Sequence, residues 1–125
     1  MCDYLIHFYS RADAILDGIL VDVTETAREA GFRYCVALTA AVWHKYVEVP
    51  AGVEAQDEAG RLWDILQMLK FGIAKEEASR NVITFQLHVR NDNSDGDPPL
   101  VELKAVCGPD DDGGPCITVM VPDED

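Results

Sequence analysis

The chain has 125 residues, a hydrophobic fraction of 48% and a formal charge of −13, from 10 basic and 23 acidic residues. That is one domain's length, with enough apolar material for a core without metal or disulfide support, and too much for wholesale disorder. The ionised acids repel phosphate, which argues against broad contact with nucleic acid or anionic membranes and favours a basic partner.

Tyr4, Phe8 and Tyr9 form a candidate apolar anchor ahead of the first helix. Ser10 is placed to cap a short helix over Arg11–Asp17, ended by Gly18, because its hydroxyl can accept from the free N–H groups of the first turn. Ile19–Val23 reads as a short extended segment. Thr24 is a second cap candidate, for a helix over Glu25–Ala30 that stops at Gly31, with Glu25 complementing the positive helix end. Phe32–Ala37 reads as a linker or small strand. Thr39 opens a third helical candidate, Ala40–Val47, in which Val42, Trp43 and Tyr46 share a face before Pro50 and Gly52 end the segment.

Asp57 opens the longest helix, about Glu58–Glu77. Leu62, Leu66, Leu69 and Ile73 recur at helical spacing, and Ile65 and Met68 widen that face. Gly72 marks a place to bend or end, since glycine in a helix interior costs about 1 kcal/mol relative to alanine.

After residue 80 the period changes to two. Ile83, Phe85, Leu87 and Val89 alternate with Thr84, Gln86, His88 and Arg90. Val101, Leu103 and Ala105 supply the apolar face of a second strand, and Ile117, Val119 and Val121 that of a third. Short turn-rich connections favour an antiparallel meander with one polar, uncovered face. The expected fold is α+β: N-terminal helices over about 10–78, the longest packed on a three-stranded antiparallel β-meander over about 82–121, and a frayed acidic tail at 122–125.

The charge is uneven. Residues 1–50 carry 7 acids and 4 bases, residues 51–90 carry 6 and 5, and residues 91–125 carry 10 acids and one base, Lys104. The candidate contacts for a basic partner are therefore Asp92, Asp95, Asp97, Glu102, Asp110, Asp111 and Asp112, with Trp43 or Trp63 as an apolar anchor. In a meander the two acidic loops lie at opposite ends of the sheet, so they bracket a surface rather than form one cluster.

Other chemistry is weaker. Asn91, Asn93, Asp95, Gly96 and Glu102 partly overlay a calcium loop. The opening ligand, however, is Asn, Pro98 and Pro99 interrupt the loop, and Glu102 falls in a strand, so the segment reads as an acidic hairpin loop and no metal is assigned. Asp110–Asp112 are adjacent carboxylates that repel and prefer open solvent. The N-terminus lacks a basic region typical of a leader, so the four cysteines read as reduced thiols of a cytoplasmic protein, with Cys107 and Cys116 flanking one loop. His7, His44 and His88 offer no ligand spacing and no base beside a nucleophile. No Walker loop or dinucleotide fingerprint is present. No catalytic residue and no cofactor is expected.

Several stretches carry a resemblance: Tyr9–Ile15, Asp17–Val23, Thr24–Phe32, Val36–Trp43 and Gly60–Asp64, then Thr84–Leu87 and, more loosely, Ile117–Met120. Together they resemble an uncharacterised family of small proteins carried by bacterial plasmids, phages and integrated elements. Mobile elements often encode acidic proteins that block restriction or CRISPR machinery, some by presenting carboxylates in place of DNA phosphates. The resemblance thus implies an anti-CRISPR or anti-restriction inhibitor acting without catalysis. The alternatives are a structural or regulatory homo-oligomeric protein of the element, and a small hydrolase or transferase whose site is not visible in sequence.

Overall fold

The computed structural model describes residues 11–53, 57–75, 82–91, 98–109 and 114–124. In chain order these form α1 (Arg11–Leu16), β1 (Leu20–Asp22), α2 (Thr24–Glu29), β2 (Cys35–Thr39), a single turn α3 (Ala40–Val42) running into a π-helical turn (Trp43–Val47), α4 (Glu58–Lys75), β3 (Val82–His88), β4 (Leu100–Pro109) and β5 (Pro115–Met120). Ser10 and the anchor Tyr4, Phe8 and Tyr9 lie outside the described residues.

The fold is α+β, but the expected three-stranded antiparallel meander is corrected to a five-stranded mixed sheet of order β1-β2-β5-β4-β3. β3, β4 and β5 pair antiparallel. β2 then joins β5 in parallel, Cys35 opposite Cys116, and β1 closes the far edge antiparallel to β2. The physical reason lies in Val36-Ala37-Leu38, all at most 1% exposed. A run buried on both faces belongs in a sheet interior, as parallel strands usually are.

The sheet's main face and the helices enclose one apolar cluster. It takes Val36 and Leu38 from β2, Ile117 and Val119 from β5, Leu103 and Ala105 from β4, and Ile83, Phe85 and Leu87 from β3. From α4 it takes Leu62, Ile65, Leu66 and Leu69, while Ile73, expected on the same stripe, is 41% exposed. The opposite face, expected to be polar and uncovered, is corrected: Ala37, Cys116 and Met120 are buried there.

Gly72 does not end α4, which runs on to Lys75. A Cβ at that position would stand 3.2 Å from the Phe85 Cβ, so the absent side chain is what lets helix and strand approach. Gly18 and Gly31, at φ +79° and +103°, end α1 and α2 in the left-handed region. Asp57 caps α4, its Oδ1 accepting from the Gly60 N–H at 2.7 Å. Thr39 caps α3 as expected, its hydroxyl accepting from the Val42 N–H.

Thr24 does not cap α2; Val23 stands at the cap position without a side-chain bond. The Asp22 carboxylate captures both the Thr24 N–H (3.0 Å) and its hydroxyl (2.6 Å), and the hydroxyl oxygen accepts from the Val36 N–H at 3.1 Å. The threonine thus stitches the start of α2 to β2. The expected fraying of the tail is corrected for Glu124. Its carboxylate accepts from the Thr39 hydroxyl at 2.8 Å and the Val121 N–H at 3.1 Å, and its carbonyl accepts from Lys104 Nζ.

Candidate functional site

Of the expected acidic contacts, Asp92, Asp95, Asp97, Asp110, Asp111 and Asp112 lie outside the described residues. Glu102 is described. It is exposed on β4, opposite Gln86, on the face away from the core. The strand register fixes where the flanking residues stand. His88 pairs with Leu100 at one end of the sheet, and Pro109 pairs with Pro115 at the other. The one base of the acidic segment, Lys104, is turned onto the Glu124 carbonyl. Trp43 is half-buried and packs on the core, whereas Trp63 is 37% exposed on α4. Of the two indoles, Trp63 is the more exposed.

Arg61 was not foreseen. It is 7% exposed at the first turns of α4. Its Nε donates to the Tyr46 carbonyl at 2.9 Å, Nη1 to the Arg90 carbonyl at 2.7 Å and Nη2 to Asn91 Oδ1 at 2.6 Å. The Asn91 amide in turn donates to the Lys45 carbonyl at 3.0 Å. One guanidinium therefore holds together the π-helical turn, α4 and the chain leaving β3. Desolvation by burial pulls its pKa below the ordinary value, yet a guanidinium keeps its charge at neutral pH. This geometry also bears on the calcium-loop alternative: the side-chain oxygen at its opening position already accepts from a cation. A signal for Arg61 was present, since it precedes Ile65 and Leu69 at four-residue spacing on the buried stripe.

At the other end of α4 a cleft of about 240 Å³ is lined by Gly31, Phe32, Arg33, Tyr34, Lys70, Ile73 and Ile117. Lys70 Nζ closes it on one side by donating to the Ala30 carbonyl at 2.8 Å, which satisfies a free carbonyl at the end of α2. The lining holds two cations and no carboxylate. A second groove, of about 330 Å³, runs between α4 and β3.

The cysteines depart from expectation. Cys35 and Cys116 are joined by a disulfide. The parallel register puts them opposite one another with a Cα separation of 4.7 Å, within bridging range. The bond withdraws the thiol argument for a reducing compartment. Cys107 is free and exposed. It pairs with Ile117 on the core side of the ladder, so Cys116, one residue before Ile117, faces the other way. Among the described histidines, His44 meets Glu48 at 2.9 Å with both exposed, and His88 meets the Pro98 carbonyl at 2.9 Å. His7 lies outside the described residues. Among the described residues no group of three His, Cys, Asp or Glu side chains is gathered as a metal would need, and no helix is long and apolar enough to cross a membrane.

A family model covers residues 2–125, from the segment before α1 through both acidic segments to the end. The chain belongs to that family, DUF6573, a family of unknown function. Comparison with curated proteins and with solved structures finds no match. Membership in DUF6573 therefore groups the chain with relatives but assigns no role to Arg61, Glu102 or either tryptophan, and their chemistry has to be read from position and charge.

Proposed function

We propose that this DUF6573 protein is a binding protein that inhibits a nucleic-acid-handling defence complex of the bacterial host. It would set carboxylates against the Lys and Arg groups that otherwise meet phosphate, without chemistry of its own. The target class favoured is a CRISPR effector. The encoding element is a plasmid, phage or integrated element, and the place of action is the host cytoplasm. The observation that carries the reading is the charge of residues 91–125, 10 acids against one base, with that base folded onto the chain's own tail.

Two features support it. The strand ends that bracket the two Asp-rich segments stand at opposite ends of the sheet, with Glu102 exposed between them. Such a spread suits a long basic groove better than a compact ion site. Trp63 adds a partly exposed indole of the kind that anchors interfaces. Steering between opposite charges speeds encounter and makes the association sensitive to salt.

The test is affinity capture from a bacterial lysate with low- and high-salt washes. It is run with the native chain, with Asp92, Asp95 and Asp97 changed to Lys, and with Asp110, Asp111 and Asp112 changed to Lys. Salt-sensitive capture of a nuclease or CRISPR complex, lost on charge reversal, is the expected result. Capture indifferent to salt and to both reversals would sink the reading.

A further inference from the structure

The chain leaving α2 is held at both ends. The Phe32 N–H donates to the Ala27 carbonyl at 2.9 Å and the Gly31 N–H to the Arg28 carbonyl at 3.0 Å. These are the paired bonds of a Schellman ending, with Gly31 at its left-handed position, φ +103°. Phe32 is anchored in the core cluster, and Arg33 and Tyr34 after it are exposed. The next residue, Cys35, is bonded to Cys116, the neighbour of Ile117.

This segment forms one wall of the 240 Å³ cleft, with Lys70 and Ile73 of α4 and Ile117 of β5 completing it. Phe32 and Ile117 are buried, while Tyr34 and Ile73 are 46% and 41% exposed, so the apolar surface runs from the core to the rim. The charged lining is cationic. An ammonium has three N–H donors, so the bond from Lys70 to the Ala30 carbonyl does not exhaust it, and the Arg33 guanidinium brings five more. A Cβ on Gly31 would stand 2.7 Å from Lys70 Nζ, so the glycine leaves room for the ammonium at this wall. None of the seven lining residues is acidic, in a chain of 23 acids and 10 bases.

We infer that this cleft binds a small organic anion, a carboxylate or phosphate head joined to one flat apolar ring. Charge selects the head: a guanidinium meets carboxylate or phosphate as a fork, and an ammonium adds a point charge. Phe32, Tyr34, Ile73 and Ile117 select the ring, since they offer apolar and aromatic surface that a bare ion would leave uncovered. Size sets the limit. The cleft is smaller than the roughly 300–1,000 Å³ of sites for drug-sized ligands, which admits a single substituted ring and excludes a dinucleotide. The closure of α2 and the disulfide hold the wall in place beforehand, so little ordering opposes binding. The site is separate from the acidic segments and does not depend on a basic partner.

The experiment is a titration of the full chain with benzoate and, separately, phenyl phosphate, followed by amide NMR shifts. Benzylamine probes the charge requirement and inorganic phosphate the ring requirement. The expected result is saturable binding of at least one ring anion in the millimolar range or tighter, with shifts centred on Gly31, Arg33, Tyr34 and Lys70. Benzylamine should not bind, and inorganic phosphate should bind roughly tenfold or more weakly than the ring anion. Arg33→Met and Lys70→Met should each weaken binding roughly tenfold or more. Lys45→Met, which removes the same charge from an exposed position on the π-helical turn, should leave it unchanged. Lys70→Met also removes the bond to the Ala30 carbonyl, so Arg33→Met decides should that variant fail to fold. Absence of saturable binding by both ring anions overturns the inference. So do equal binding of benzylamine or of inorganic phosphate, shifts centred on other residues, an affinity that survives Arg33→Met, or one that falls equally with Lys45→Met.

Discussion

Replacing Arg61 by methionine tests whether one guanidinium organises the end of the molecule where α4 begins. Methionine keeps much of the stem's volume and removes every donor. The Tyr46 carbonyl, the Arg90 carbonyl and Asn91 Oδ1 each lose a bond of 2.6–2.9 Å. A hydrogen bond to a charged group contributes about 1.5–3 kcal/mol net, so three amount to roughly 6 kcal/mol. Against this stands the desolvation of a cation left 7% exposed, a cost of several kcal/mol that the methionine avoids. The expected net loss is about 3 kcal/mol, or a melting temperature lower by about 10 °C for a chain of this length. Urea unfolding followed by circular dichroism, with thermal unfolding alongside, measures it. Arg33→Met, at an exposed arginine between α2 and β2, should change stability by no more than about 0.5 kcal/mol. Asn91→Ala combined with Arg61→Met should show a coupling of about 1 kcal/mol, because the two residues share a bond. Folding lowers the arginine's pKa, so the folded state disfavours its charged form; that cost eases only at strongly alkaline pH, and no Arg61 step should cross the neutral range. Arg61→Met within about 0.5 kcal/mol of the native chain would refute the whole account of this node.

Two further outcomes are expected. Peptide mapping without reductant should recover Cys35 linked to Cys116. Because the bond closes a loop with a sequence separation of 81, the double Cys35→Ala/Cys116→Ala variant should lose up to about 4 kcal/mol, whereas recovery of both cysteines as free thiols after air oxidation would exclude the pairing. Gly72→Ala should be near neutral, a helix gain of about 1 kcal/mol offsetting the tight approach to Phe85. Gly72→Val should cost about 2 kcal/mol or more, and an unchanged unfolding midpoint for the valine variant would mean that α4 and β3 are not held as close as described.

The difference between what was legible and what was not follows contact range. The alternation in Val82–His88 and the stripe Leu62, Ile65, Leu66 and Leu69 are local periodicities. Each strand or helix buries the side its own pattern makes apolar, so both were readable residue by residue. The Asp57 and Thr39 caps were equally local. Thr24 misled because its competitors are Asp22, two residues back, and the Val36 N–H, twelve residues on. Gly72 misled because propensity describes the helix alone, while the Phe85 Cβ that needs the space is on another element.

By itself the sequence determined the α+β class, the presence of α4 and of three strands after it, and a formal charge of −13 concentrated after residue 90. All of these depend on composition or on neighbours within a turn or two of chain. Only the tertiary structure decided that β2 lies parallel beside β5, that Cys35 therefore meets Cys116, that Arg61 is buried among carbonyls of two other segments, and that β3 is the last strand of the sheet among the described residues. The reason is that strand order and long-range hydrogen bonds are settled by which buried surfaces fit together once the chain is compact, and no periodicity along the chain records that choice.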